Sequence, residues 1–258
     1  MTFPNFPDKH ENSSLLNPQD IVEYRRKLGR LPLPNFPEGL LFCLERGLPR
    51  RLRRRIPVRK AGSMLGDLYL VRNPRDQVAV MTDFGGGSPI VAELAEEFVV
   101  MGARKLILMT WGGALQPDLR PGDIVVCDRA IRDEGTSHHY LPPEKYAQAS
   151  QELVERLAAS IISKGSTCTI GATWTTDAPY RETREEVQSY RSEGVKTVEM
   201  EAAGLFAIGQ VRNVQTAGVV VVMDSLANLR WEVPDRLDQI QRGLETVYAA
   251  AIDALSKP

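Results

Sequence analysis

Three carboxylates stand where two strand-like runs give out. Val198-Glu199-Met200-Glu201 leads from a β-branched run into the Ala-rich stretch Ala202-Ala203-Gly204, and Ala217-Gly218-Val219-Val220-Val221-Val222-Met223 ends on Asp224. Strand carboxyl ends of an α/β sheet open into the ligand crevice, and carboxyl groups placed there can transfer protons or accept hydrogen bonds. Glu199 and Glu201 are two residues apart, so on an extended strand end they project to one side, with Met200 turned the other way. The residues alone leave a plainer reading open. Both acids could sit in the first turn of a helix over Ala202 to Arg212, where the N-terminal dipole favours negative charge. Asp224, followed by Ser225, Leu226 and Ala227, could cap a short helical turn.

The elements that must position these groups alternate along the chain. From Leu40 onward, strand-like runs are interleaved with helices expected near Pro89 to Met101, Pro143 to Ser163, Thr183 to Arg191, Ala202 to Val211 and Asp235 to Leu255. That alternation predicts an α/β fold, a single domain over 39–258 in three layers, with a central mixed β-sheet flanked by helices. Residues 1–38 read as an arm with one short helix near Pro18 to Leu28, punctuated by Pro32, Pro34 and Pro37. A chain of 258 residues that is 43% hydrophobic can bury a full core.

Charge and composition narrow the partners. A formal net charge of −1 argues against a general nucleic-acid binder. No apolar run approaches the ~20 residues of a membrane span, and Met1 to Asp20 is polar and interrupted by proline rather than a signal peptide. Cys43, Cys127 and Cys168 are odd in number and widely spaced, which suits free thiols in a reducing cytoplasm. The basic run Arg50-Arg51-Leu52-Arg53-Arg54-Arg55 lacks interleaved aromatics and reads as a solvated helix face, with Arg51 or Arg59 turned toward an anion site. His138-His139 has no further His or Cys at ligand spacing, so no metal is expected.

Four further stretches fall in order along the chain. Arg46-Gly47-Leu48-Pro49-Arg50-Arg51 comes first. Phe84-Gly85-Gly86-Gly87-Ser88-Pro89 follows a strand-like Gln77 to Met81 and opens a helix, where exposed backbone amides suit an anion. Lys105 to Leu115, with Thr110, Trp111, Gly112 and Gly113, leads to the turn Arg120-Pro121-Gly122-Asp123 and the strand Ile124 to Cys127. The fourth is Trp174-Thr175-Thr176-Asp177-Ala178-Pro179-Tyr180-Arg181-Glu182-Thr183. Together with Val198 to Gly204 and Asp224, they resemble the nucleoside phosphorylase family of purine nucleoside phosphorylases, uridine phosphorylases and methylthioadenosine nucleosidases. The similarity runs from about Gly47 to Asp224.

The resemblance implies a nucleoside phosphorylase that cleaves the N-glycosidic bond of a purine nucleoside with inorganic phosphate as co-substrate and no cofactor, assembled as a dimer or hexamer. It implies that Glu201 holds the ribose hydroxyls with Met200 against the sugar, that Glu199 assists, and that Asp224 protonates the leaving base. Tyr180, Gly112, Gly113 and His139 would border the base and ribose. Gly47, Arg51, Arg59 and Thr110 would meet phosphate. The chain departs from the pattern at Leu48, at Leu108 and Trp111 where many phosphorylases carry phosphate-binding residues, and at Thr183 and Glu185 where uridine phosphorylases read uracil. The spacing from Glu201 to Asp224 matches purine-cleaving members. A nucleosidase using water, a uridine phosphorylase and a non-catalytic binding relative are the alternatives.

Overall fold

The apolar runs become strands buried on both faces. The computed structural model describes residues 4–6, 8–72 and 78–256. Its strands are β1 (Gly39–Cys43), β2 (Val58–Ser63), β3 (Asp67–Val71), β4 (Val78–Thr82), β5 (Lys105–Ala114), β6 (Ile124–Asp133), β7 (Tyr146–Gln148), β8 (Thr169–Thr176), β9 (Thr197–Glu199) and β10 (Gln215–Ser225). Its helices are α1 (Pro18–Lys27), α2 (Leu48–Leu52), α3 (Ser88–Met101), α4 (Gln151–Ser163), α5 (Arg184–Ser192), α6 (Ala202–Arg212) and α7 (Asp238–Ser256).

One mixed sheet carries the fold. β1 lies parallel between β4 and β5, and β5 pairs parallel with β10. The antiparallel β3 and β2 extend the β4 edge. At the other end the sheet curls, because β10 pairs β6, β6 pairs β8, β8 pairs β9, and β9 returns to β5. The strands β5, β10, β6, β8 and β9 thus close into a ring within the mixed, helix-flanked sheet expected from the sequence.

Strict alternation explains why the runs read as continuously apolar. Leu41, Cys43, Ile107, Met109, Val219 and Val221 point to one side, into a core shared with α4 and α7. Leu40, Phe42, Leu106, Leu108 and Val220 point to the other, against α3 and α6. On α7, Leu244, Val247, Tyr248, Ala251 and Leu255 form the buried stripe of an amphipathic helix. Helix α6 is buried from Ala202 to Gly209, so it needs small residues to fit beneath α3. Each large side chain placed in these layers stabilises the fold by roughly 1.5–3 kcal/mol relative to exposure.

Some sequence expectations shift. The helix expected over Pro143 to Ser163 begins only at Gln151, because Tyr146–Gln148 pairs with β6 as an added strand and Ser150 stands at the helix N-cap. The last helix starts at Asp238 rather than Asp235. The strand expected from Gln77 starts at Val78, and Gln77 lies outside the described residues. So do residues 1–3 and 7 of the arm, and 73–76, 257 and 258 of the body. Within the arm, Arg25 of α1 forms an ion pair with the buried Glu97 of α3, Phe36 stacks on Phe98 at 4.8 Å, and Leu33 enters the core. Cys43, Cys127 and Cys168 are free thiols. Among the described residues no helix is long and apolar enough to cross a membrane.

One buried group in the α7 layer is unanswered. Tyr248 is fully buried and its hydroxyl has no hydrogen-bond partner among the described residues. An unsatisfied buried hydroxyl costs about 1–3 kcal/mol. Tyr248→Phe keeps the ring and removes that penalty, so it should raise the unfolding free energy by about 1 kcal/mol in urea titration; a loss of stability would show that the hydroxyl is satisfied.

Candidate active site

A cleft of about 910 Å³ opens where β5, β9 and β10 end, closed on its other sides by the loop after β4, the segment before α5 and the loop after β10. The backbone of β5 sets its floor. A Cβ built on Gly112 would lie 2.2 Å from the Val198 carbonyl oxygen, so only glycine lets β9 approach β5 this closely. On Gly113 the same atom would be 3.0 Å from Asp224 Oδ1. A bulge between Val222 and Asp224 breaks the β10 register opposite these glycines and re-aims Asp224 at the strand end.

The two glutamates of the Glu-Met-Glu run do different work. Glu199 ends β9 and turns back over the start of α6, where its Oε2 accepts from Glu201 N at 2.7 Å and Ala202 N at 2.8 Å. Thr175 Oγ1 donates to its Oε1 at 2.5 Å and itself accepts from Ala203 N at 3.0 Å. Glu201 reaches forward instead. Its Oε1 accepts from Gly87 N at 2.7 Å, at the N-terminus of α3, and its Oε2 lies 3.3 Å from the donating Thr110 hydroxyl. Gly87 presents that amide at a φ of 98°, a conformation that favours glycine. The strand stops at Glu199, so the expected period of two does not continue, and Met200 lines the cleft beside both acids instead of turning away.

Burial dominates the electrostatics. Desolvation raises the carboxyls of both Glu199 and Glu201; for Glu199 the Glu201 charge adds to the rise, which reaches about 8, while the hydrogen bonds from Thr175 and the two amides oppose it. Asp224 is only half-buried, and Trp231 Nε1 donates to its Oδ2 at 2.5 Å. A backbone pair between Ser225 and Glu232 folds the intervening loop so that Trp231 returns to Asp224.

Glu199, Met200, Glu201, Asp224, Tyr180, Thr110, Gly112 and Gly113 all line the one cleft. Tyr180 sits at the rim, fully exposed. Gly47, Arg51, Arg59 and His139 lie outside its lining. Gly47 is the N-cap of α2. Arg51 is turned to Glu45 at 2.7 Å and to the Arg46 carbonyl at 3.0 Å. Arg59 is exposed on β2. His139 meets Lys9 of the arm at 3.1 Å. Leu108 is packed in the core two residues before Thr110. The sequence reading passed over Arg46, which enters the cleft from the loop before α2, the helix that carries Arg51, and over Glu182, Arg184 and Trp231. Arg46 and Glu182 stood inside quoted motifs, whereas nothing in the sequence tied Trp231 to Asp224. Among the described residues no cluster of His, Cys, Asp and Glu could hold a metal.

Comparison with known proteins agrees with this architecture. The family model of the phosphorylase superfamily matches residues 51–256, and the chain belongs to that superfamily. It is 25% identical over 211 residues to the guanosine phosphorylase of Halorubrum lacusprofundi, covering 75% of this chain and 88% of the relative. It is 29% identical over 184 residues to the purine nucleoside phosphorylase of Plasmodium vivax, covering 67% and 74%. With the uridine phosphorylase of Thermococcus kodakarensis the identity is 31% over 155 residues, covering 55% and 56%. The crystal structure of uridine phosphorylase from Vibrio fischeri shares the fold, with a TM-score of 0.71 at 22% identity over 85% of this chain and 91% of that one.

The raised Glu199 carboxyl has a measurable consequence. Its ordinary value is 4.5 and its folded value about 8, so between them the folded protein holds a proton that the unfolded chain has released. That contribution is complete at low pH and is lost as the pH rises through the folded value. Thermal melts should therefore show stability falling from about pH 5 to about pH 8, and Glu199→Gln should flatten the decline. An unchanged slope in the folded variant would assign it to other groups.

Proposed function

We propose that the protein is a nucleoside phosphorylase acting on a purine nucleoside, with phosphate attacking the sugar. The observation that carries this reading is that Glu201 and Asp224 line one cleft and are set apart along β5. Glu201 touches Thr110 and Asp224 lies beside Gly113, three residues further along β5, about 10 Å at the rise of an extended strand. A nucleoside bridging that span places its sugar at Glu201 and its base at Asp224.

The chemistry gives each group a task. Breaking the bond from C1′ to the base leaves positive charge on the sugar and sends the bonding electrons into the base. Glu201, fixed by Gly87 N and Thr110, accepts from the ribose hydroxyls and places negative charge near the developing cation. Met200 gives the sugar a soft apolar wall. Asp224 delivers a proton to N7 of the departing purine, general acid catalysis worth typically ~10²–10⁴ in rate. The phosphate oxygen then forms the new bond to C1′, which yields ribose 1-phosphate and the free base. Thr110 and Arg46 are the phosphate contacts available in the cleft. Arg51 braces the Arg46 carbonyl, while Gly47 shapes the turn. Arg59 and His139 would act only at a site completed by a second copy of the chain, in a dimer or a ring of dimers. Glu199 and Thr175 hold the start of α6 and so orient Glu201.

Two observations favour hydrolysis as the second reading. The α3 amide that a phosphate could occupy is engaged by Glu201, and Leu108 places no cation on β5. Product analysis separates the two. Purine nucleosides with phosphate should give ribose 1-phosphate, and turnover should fall by at least tenfold in phosphate-free buffer. Free ribose released at the same rate without phosphate would establish a nucleosidase instead.

A further inference from the structure

The cleft holds a carboxyl that the mechanism above leaves unused. Glu182 follows the single turn Pro179–Arg181 and precedes α5. Its backbone is held in place by the capping box that starts that helix, where Glu186 N donates to Thr183 Oγ1 at 3.3 Å and Thr183 N donates to Glu186 Oε2 at 3.0 Å. The Glu182 side chain is half-buried on the cleft wall. Among the described residues it accepts no hydrogen bond and forms no ion pair. Burial, then the charge of Asp224, then that of Glu186 push its carboxyl up to about 7. Arg184 and Arg230 line the same cleft, yet no side chain among the described residues donates to Glu182, and the charges that act on it are the carboxylates of Asp224 and Glu186.

Glu182 lines the same cleft as Asp224 and feels its charge, which puts Glu182 toward the base end of the cleft. This step rests on the reading of Asp224 as the group that meets a purine. A base seated there presents one edge to each carboxyl. On a 2-amino-6-oxopurine, the edge away from N7 carries two adjacent donors, N1–H and the 2-amino group, which match the two oxygens of a carboxylate. A 6-oxopurine without the amino group offers one. A 6-aminopurine turns the N1 lone pair toward the same position, and uracil offers one N–H flanked by two carbonyl oxygens, so neither presents two adjacent donors to the acid.

We propose that Glu182 is a specificity-determining residue that accepts the N1–H and 2-amino donors of the base, so that the preferred substrate is a guanosine-type nucleoside. A site built to pair with substrate donors discriminates strongly against analogues that lack them, because its own polar group is then left unmatched.

The test compares guanosine, inosine, adenosine and uridine on wild type and Glu182→Gln, with calorimetric binding of guanine and adenine as a readout that does not need turnover. Wild type should favour guanosine over inosine by about tenfold in kcat/KM, and over adenosine by more. Glu182→Gln should cut guanosine turnover and guanine affinity at least tenfold while leaving adenosine within about twofold. Thermal melts of Glu182→Gln should match wild type. Equal treatment of guanosine and adenosine by wild type, or an equal loss on all purines in the variant, would overturn the role of Glu182 and leave the purine reading intact. Turnover of uridine alone would overturn both. Guanine binding that is lost in Glu182→Gln, with no nucleoside cleaved, would support the role of Glu182 and remove the phosphorylase reading.

Discussion

Two carboxylates two residues apart cannot be buried unless donors meet them, and the start of a helix is where a fold has unused donors. Here two helix starts are brought together for that purpose. The N-terminus of α6 answers Glu199 through Glu201 N and Ala202 N, and the N-terminus of α3 answers Glu201 through Gly87 N. That constraint fixes much else. Helix α6 must run beneath α3, which needs Gly204 where a Cβ would meet Ser88 at 2.8 Å. β9 must end at the junction, and Thr175 of β8 must stand behind it to complete the Glu199 shell.

The ring of strands follows from the same junction. β9 is only Thr197–Glu199, yet it is held on both sides, antiparallel to β5 and parallel to β8. Its hold on β5 depends on the bare backbone of Gly112 and Gly113. Glu199 and Glu201 face opposite ways, which makes one a structural clamp for helix α6 and leaves the other with its second oxygen toward Thr110 and the cleft. Cleft acids outnumber cleft cations, with Asp83, Glu182, Glu199, Glu201 and Asp224 against Arg46, Arg184 and Arg230. An acceptor-rich cleft suits a ligand rich in hydroxyl and N–H donors.

Much of this was legible in the sequence because the signal was local. Alternating apolar runs gave β1, β4, β5 and β10, Pro and Gly marked the helix α3 start, and the Glu-Met-Glu run and Asp224 marked the cleft. What escaped depended on distant partners. Glu201 is met by an amide 114 positions away, and Thr175 reaches Glu199 across 24. Trp231 comes to Asp224 only because Ser225 and Glu232 pair. The choice of Arg51 over Arg46 turned on side-chain direction at the start of α2, which composition does not encode. The strand Tyr146–Gln148 is three residues on an edge, too short for a periodic signal.

The central claim is that Glu201 and Asp224 mark the sugar and base ends of one nucleoside site. A crystal structure with a non-cleavable purine nucleoside analogue and phosphate tests it most directly. The account predicts the ribose 2′- and 3′-hydroxyls on Glu201, the sugar against Met200 and N7 within hydrogen-bond reach of Asp224. An analogue bound with its base at Glu201, or seated outside this cleft, would contradict it.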